Sequence, residues 1–157
     1  MQIADLLSPE GVVAALKVQG KKQLLQDLSA RAAAIVRLPD RRIFETLNER
    51  ERLGTTGVGQ GIAIPHGRLA DIDKITGVFA RLDPPIEYDA VDNLPVDLVF
   101  MLLAPEGAGA DHLKALARVS RLLRNQAVCE KLRAAKSAEA LYAILTEPAA
   151  NANSVAA

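Results

Sequence analysis

The chain has 157 residues, half of them hydrophobic and 24% charged. A chain of this length buries roughly 68–70% of the surface its unfolded form exposes, which suits one compact domain and excludes collagen-like, disulfide-framework and wholly disordered classes. Nineteen Lys plus Arg against nineteen Asp plus Glu give a formal net charge of +0, so no overall field recruits nucleic acid or an anionic membrane.

Residues 1–11 lack the basic-then-apolar run of a signal peptide. After the turn signal Ser8-Pro9-Glu10-Gly11, residues 12–18 are apolar and partly β-branched, a first strand or a helical turn, with strand the favoured reading. Beyond Gly20, Leu25, Leu28, Ala32 and Ile35 recur at three- and four-residue steps and share one helix face. Leu38-Pro39 ends that helix, because proline disfavours the α conformation in the residue before it. A second helix starts near Asp40, turns Ile43, Phe44 and Leu47 inward, carries Arg50 in its last turns and stops at Gly54, a residue suited to a left-handed cap. Thr55 to Gly61 has glycines at alternate positions and reads as a loop. A short strand, Ile62-Ala63-Ile64, is cut off by Pro65.

Thr76 to Leu82 reads as a strand, and the near-continuous apolar run Val96 to Ala104 as a central one. Asp83-Pro84-Pro85 and Asp92-Asn93-Leu94-Pro95 between them are turn chemistry. From Asp111 the helical period returns, with Leu113, Leu116, Ala117, Ser120 and Leu123 on one face, followed by shorter helices near 127–135 and 138–146. Residues 148–157 are expected to form a flexible tail. With no repeat or linker inside 1–147, the expectation is a single α/β domain in which helices sandwich a mixed β-sheet. The longest apolar run, Leu98 to Pro105, falls far short of the about 20 residues that span a bilayer. The chain is therefore not expected to be a membrane transporter or to insert directly in a membrane, and its expected address is the cytoplasm.

Two histidines, His66 and His112, are the candidates for a neutral-pH nucleophile or proton carrier. His66 follows Pro65, which removes a ladder donor, and precedes Gly67, which lets backbone approach a ligand; together they present an imidazole at the exposed end of a strand. On spacing alone such a residue reads as a strand cap facing solvent. Arg50 alone is an ordinary arginine near a helix C-terminus, and His112 alone a structural or solvated histidine at a helix start. Gly57-Val58-Gly59-Gln60-Gly61 is not G-x-G-x-x-G and precedes a strand rather than following one, so it makes a weak nucleotide site. Asp89, Asp92 and Asp97 lack calcium-loop spacing and read as turn residues; no metal and no cofactor are expected. Cys129, the single cysteine, cannot form an internal disulfide and reads as a small core side chain.

The run from Leu53 to Gly67, a glycine-rich segment leading into Ala63-Ile64-Pro65-His66-Gly67, closely resembles the phosphorylation-site signature of the enzyme IIA domains of the fructose, mannitol and nitrogen class of the bacterial phosphotransferase system. The resemblance extends from about residue 3 to about residue 147. Tyr88 to Phe100 and Gly20-Lys21-Lys22 look most like the nitrogen-related branch of that family.

The resemblance implies the fold of that class. It also implies that His66 accepts a phosphoryl group, as a tele-phosphohistidine, from a phosphohistidine carrier of the HPr or NPr type that is charged from phosphoenolpyruvate through enzyme I. A backbone carbonyl is expected to hold the other ring nitrogen and fix the reactive tautomer. Arg50 matches the arginine of the Arg-Glu pair ahead of the glycine segment and is implied as a phosphate-stabilising guanidinium. His112, in His112-Leu113-Lys114-Ala115-Leu116-Ala117, matches the second histidine of the family and is implied to hydrogen-bond the phosphate. The glycine segment is expected to keep side chains away from His66 so that a carrier can dock. Arg68 stands open between touching the carrier and facing water. The implied role is that of a phosphocarrier whose phosphorylation state regulates downstream partners that the sequence does not identify. Its rivals are a sugar-specific component passing phosphate to a separate IIB, and a regulatory binding module without transfer chemistry.

Overall fold

The structure, a computed structural model, describes residues 1–147; the tail expected at 148–157 lies outside the described residues. In chain order the elements are β1 (Val12–Leu16), α1 (Lys21–Val36), α2 (Asp40–Leu53), β2 (Gly57–Gly59), β3 (Ile62–Ala63), β4 (His66–Leu69), β5 (Thr76–Ile86), β6 (Val96–Pro105), α3 (Ala110–Arg124), α4 (Gln126–Ala134) and α5 (Ala138–Leu145). The sheet order is β1-β5-β6-β3-β2, with β4 also paired to β6. β5 and β6 are antiparallel, as are β2 and β3; the pairs β1–β5, β3–β6 and β4–β6 are parallel. The fold is thus α/β with a mixed sheet.

β6 organises the core. Its alternating side chains serve two separate apolar clusters: Val99, Met101 and Leu103 face the cluster holding Leu24, Leu28, Ile43 and Leu47 of α1 and α2. Leu98, Phe100 and Leu102 face the one holding Val119, Leu123, Leu132 and Leu141 of α3, α4 and α5. A strand buried on both faces needs apolar residues at every position rather than at alternate ones, which is why Val96 to Ala104 reads as a continuous run. Phe100 packs edge to face on Phe79 of β5, with ring centroids 6.1 Å apart.

Several local expectations are revised. α1 ends before Leu38-Pro39 as expected, but the left-handed cap is Arg37, at φ 60°; Gly54 ends α2 at φ 153°, ψ 147°, outside the left-handed helical well. The stretch Gly57–Gly61 is not a loop: it is a β2–β3 hairpin whose two turn residues, Gln60 and Gly61, have φ of 59° and 83°, the pattern of a primed hairpin turn. Asp83-Pro84-Pro85 lies inside β5, at an irregularity between the pairs Arg81–Leu98 and Ile86–Val96. In α3 the buried residues are His112, Ala115, Val119 and Leu123, while Leu113 is exposed. The buried face is thus rotated from the expected one toward Ala115 and Val119, which carries the polar His112 inward with them. Cys129 is buried, with Sγ 3.1 Å from the Leu123 carbonyl, and Asp97 is not a turn residue but the bidentate partner of Arg133, at 2.8 and 2.9 Å.

The glycines of the hairpin serve close packing. A Cβ on Gly57 would lie 2.8 Å from Cβ and 2.9 Å from Cα of Ala90, and 2.9 Å from Cδ1 of Tyr88. Because two of these obstacles belong to neighbouring backbone and its first side-chain atom, they cannot swing aside. Gly57→Ala is expected to destabilise the fold by about 1–3 kcal/mol through overpacking, read as a lowered urea midpoint at unchanged slope; an unchanged midpoint would contradict this packing account.

Candidate functional site

β3 and β4 run along the same edge of β6 in one register: Ile62 and Ala63 pair with Leu98 and Val99, and His66 and Gly67 with Leu102 and Leu103. Ile64-Pro65 interrupts the strand without shifting it. The Gly61 and Pro65 carbonyls turn toward β6 and accept from Leu98 and Leu102 at 3.0 and 2.9 Å. Ile64 turns the opposite way, since alternate residues of a strand address opposite neighbours, and its N–H donates to the Thr56 carbonyl at 3.0 Å. Its carbonyl lies beyond the end of β2 and takes the imidazole of His66, with Nδ1 at 2.8 Å. The carbonyl can only accept, so Nδ1 carries the proton and Nε2 the lone pair.

The sequence placed His66 at a strand's end; the structure places it at the start of β4. Side chains of a strand alternate, so His66 and Arg68 share one face and Gly67 takes the other. A Cβ on Gly67 would meet Thr46 Cγ2 of α2 at 2.5 Å, so the missing side chain admits the helix, and Gly67 also lines the cleft beside His66. On the His66 face stands α3, and the His112 ring lies edge to face with His66, centroids 5.8 Å apart. Arg68 Nε donates to His112 Nδ1 at 3.1 Å. His112 is buried, and its Nε2 has no hydrogen-bond partner.

His66, His112, Arg50 and Arg68 line one open cleft of about 670 Å³, with Leu53, Leu113 and Leu116 supplying apolar wall. Leu53 and Leu113 are strongly exposed, at 85% and 64%. Arg50 Nη1 donates to the Gly54 carbonyl at 2.8 Å, which ties the guanidinium to the C-terminal end of α2. The hairpin glycines do not line this cleft; Gly59 and Gly61 stand close to Asp92, and to Arg133 and Asp97, respectively. The expectation that they clear space beside His66 is therefore replaced by a packing role.

Burial lowers the pKa of His66 below the ordinary imidazole value; the Ile64 carbonyl opposes this, and the Arg50 charge adds to it. His112 is lowered as well, by burial first and then by His66 and Arg68. Both rings are thus held neutral near pH 7.

Beside Arg50, Glu51 is the hub of a polar cluster that the sequence did not reveal. Its carboxylate takes the Lys21 ammonium at 2.6 Å, the Tyr88 hydroxyl at 3.0 Å and the Thr56 hydroxyl and N–H. Burial, followed by the Glu51 charge, pushes the Tyr88 hydroxyl above the ordinary phenol range. These contacts fasten the start of α1, the end of α2 and the entrance to β2 together, which fixes the segment that carries Arg50. Among the described residues no group of three or more His, Cys, Asp or Glu side chains is arranged to hold a metal ion, and no helix is long and apolar enough to cross a membrane.

Comparison with known proteins shows the family and the fold. The sequence model of the family described as "Phosphoenolpyruvate-dependent sugar phosphotransferase system, EIIA 2" matches residues 5–147. A nitrogen regulatory protein of Bradyrhizobium diazoefficiens is 58% identical over 152 residues, covering 97% of this chain and 99% of that protein. One of Escherichia coli is 43% identical over 148 residues, covering 94% and 91%. The crystal structure of the nitrogen regulatory protein IIA-Ntr from Neisseria meningitidis superimposes with a TM-score of 0.87 at 39% identity, covering 92% of this chain and 99% of that one. The fold, the extent of the match and these relatives show that the chain belongs to the EIIA 2 family of the phosphoenolpyruvate-dependent sugar phosphotransferase system, with its likeness to nitrogen regulatory members of the IIA-Ntr kind.

Proposed function

We propose that residues 1–147 act as a cytoplasmic phosphocarrier domain in which His66 accepts a phosphoryl group from a phosphohistidine on an HPr- or NPr-type carrier, and that the resulting phosphorylation state regulates partner proteins. The observation that carries this reading is the hydrogen bond from His66 Nδ1 to the Ile64 carbonyl, which leaves Nε2 as the nucleophile. In the step, the Nε2 lone pair forms a bond to phosphorus while the phosphorus–nitrogen bond of the carrier breaks, its electron pair returning to the carrier's imidazole. The Nδ1 proton stays in place, and the positive character gained by the His66 ring is offset by the Ile64 carbonyl. The product is a tele-phosphohistidine.

Phosphoryl transfer asks the protein mainly for positioning and for donors toward the phosphoryl oxygens. Arg50 offers a planar multi-donor cation, and the unpartnered Nε2 of His112 a further donor. The start of α3 adds the favourable end of a helix dipole for an anion. Leu53, Leu113 and Leu116 form an apolar wall suited to a transient protein interface with few charges at its centre. A phosphoryl group brings up to about two negative charges to this wall, a change large enough for a partner to distinguish the two states.

Intact-mass analysis after mixing the purified chain with phosphoenolpyruvate, enzyme I and the carrier tests the reading. A single acid-labile phosphate adduct that requires the carrier is expected, and His66→Ala is expected to remove it without loss of the fold; labelling of His66→Ala, or no adduct on the native chain with carriers of the same cell, would overturn the assignment. Arg50→Ala is expected to slow uptake by on the order of a hundredfold, as when one transition-state donor is removed, while the final extent of labelling is retained. The pH profile carries a sign. Because folding lowers the His66 pKa, the neutral nucleophile persists below the pH at which free imidazole protonates, about 6.5. The uptake rate should therefore stay level as pH falls through about 6.5 and decline only below it; a decline already centred there or higher would contradict the burial effect.

A further inference from the structure

We propose that Arg68 is a positioning residue for phosphoryl transfer: by donating its Nε–H to Nδ1 of His112 it selects the tautomer in which the His112 proton sits on Nε2, ready to donate to a phosphoryl oxygen on His66. The inference rests on the phosphocarrier reading and adds to it the atom of His112 that acts and the side chain that selects it.

Three observations converge. A guanidinium has five N–H donors and no acceptor, so the 3.1 Å contact from Arg68 Nε to His112 Nδ1 requires a lone pair on Nδ1. A neutral imidazole then has its proton on Nε2. That nitrogen is buried and makes no hydrogen bond, an unfavourable state for a donor unless a ligand supplies the acceptor. The two imidazoles approach edge to face, with centroids 5.8 Å apart, so the His112 ring stands beside the ring that would carry the phosphoryl group.

The fold makes the contact local. Arg68 follows His66 by two residues on β4 and shares its face, while Gly67 between them lets α2 pack on the other side. One short strand thus delivers the nucleophile and the group that orients its helper, and α3 delivers the helper itself. Were the Arg68 donor absent, either nitrogen of a neutral His112 could carry the proton, and only one of the two forms has a donor at Nε2.

Imidazole nitrogen NMR of the unphosphorylated, 15N-labelled chain at neutral pH reads the tautomer without any transfer assay. His112 is expected to show a protonated Nε2 and a bare Nδ1 in the native chain, and a mixture of both tautomers in Arg68→Ala. Initial uptake rates then complete a double-mutant cycle. Arg68→Ala is expected to be several-fold slower than native, and Arg68→Ala combined with His112→Gln no slower than His112→Gln alone. A His112 proton on Nδ1 in the native chain, or a tautomer indifferent to Arg68→Ala, overturns the proposal. So does an Arg68→Ala effect that persists undiminished in the His112→Gln background, which would make Arg68 a direct phosphate ligand. A native chain that takes up no phosphoryl group overturns the phosphocarrier reading and with it the transfer role of Arg68, whichever tautomer the spectra show.

Discussion

The site depends on a strand that is broken without slipping. β3 and β4 meet one edge of β6 in a common register, and the Ile64-Pro65 break between them leaves the Ile64 carbonyl facing away from β6 with no strand beyond Thr56 to receive it. That carbonyl therefore takes the His66 imidazole. A slip of one residue would send His66 to the face of α2 and Gly67 to the face of α3, separating the two histidines. The register is secured by β6 itself, paired on both edges and covered by an apolar layer on both faces.

The electrostatics of the cleft follow from that placement. Both imidazoles are drawn out of water far enough to favour their neutral forms, and the two nearby arginines oppose protonation further. Neutral rings can share a small space where two imidazolium ions could not, and in the proposed transfer each uses its second nitrogen for chemistry rather than for solvation. In the proposed transfer, the cationic charge that meets the phosphoryl group comes instead from guanidinium groups. Arg50 is anchored by the Gly54 carbonyl, and its segment by the Glu51 cluster with Lys21, Tyr88 and Thr56. The Lys21 pair and the Tyr88 ring beneath its ammonium, 4.5 Å from the ring centroid, extend this anchoring to the start of α1.

The sequence was most legible where one local pattern suffices. The period of α1 and α2, the break at Leu38-Pro39 and the buried run of β6 follow from spacing and from the conformational limits of proline. His66 and its neighbours stood out as a contiguous motif, of which His66 and Gly67 line one cleft with Arg50 and His112. The misreadings arose where a residue has two physical uses. Glycines at alternate positions suit a loop, yet in β2 and β3 they permit a tight hairpin and close backbone packing. Gly67 lines the cleft as well, but its missing Cβ also makes room for Thr46, a use the motif did not show. Leu113 fits the apolar period of α3, yet it is exposed on the rim of the cleft while His112 is buried. Arg68 would have been legible had a strand been read as starting at His66, since period two puts both on one face.

By itself, then, the sequence determined the α/β class, the central strand, the main helices and the identity of the histidine motif, because these rest on short-range periodicity and on residue types adjacent in the chain. Tertiary structure alone decided which carbonyl holds His66, which side chain holds His112, which face of α3 is buried and what the hairpin glycines are for. Those outcomes depend on the register of β3 and β4 against β6 and on the rotation of α3 against the sheet. Both are set by contacts between residues distant along the chain, where local pattern carries no information about which groups will meet.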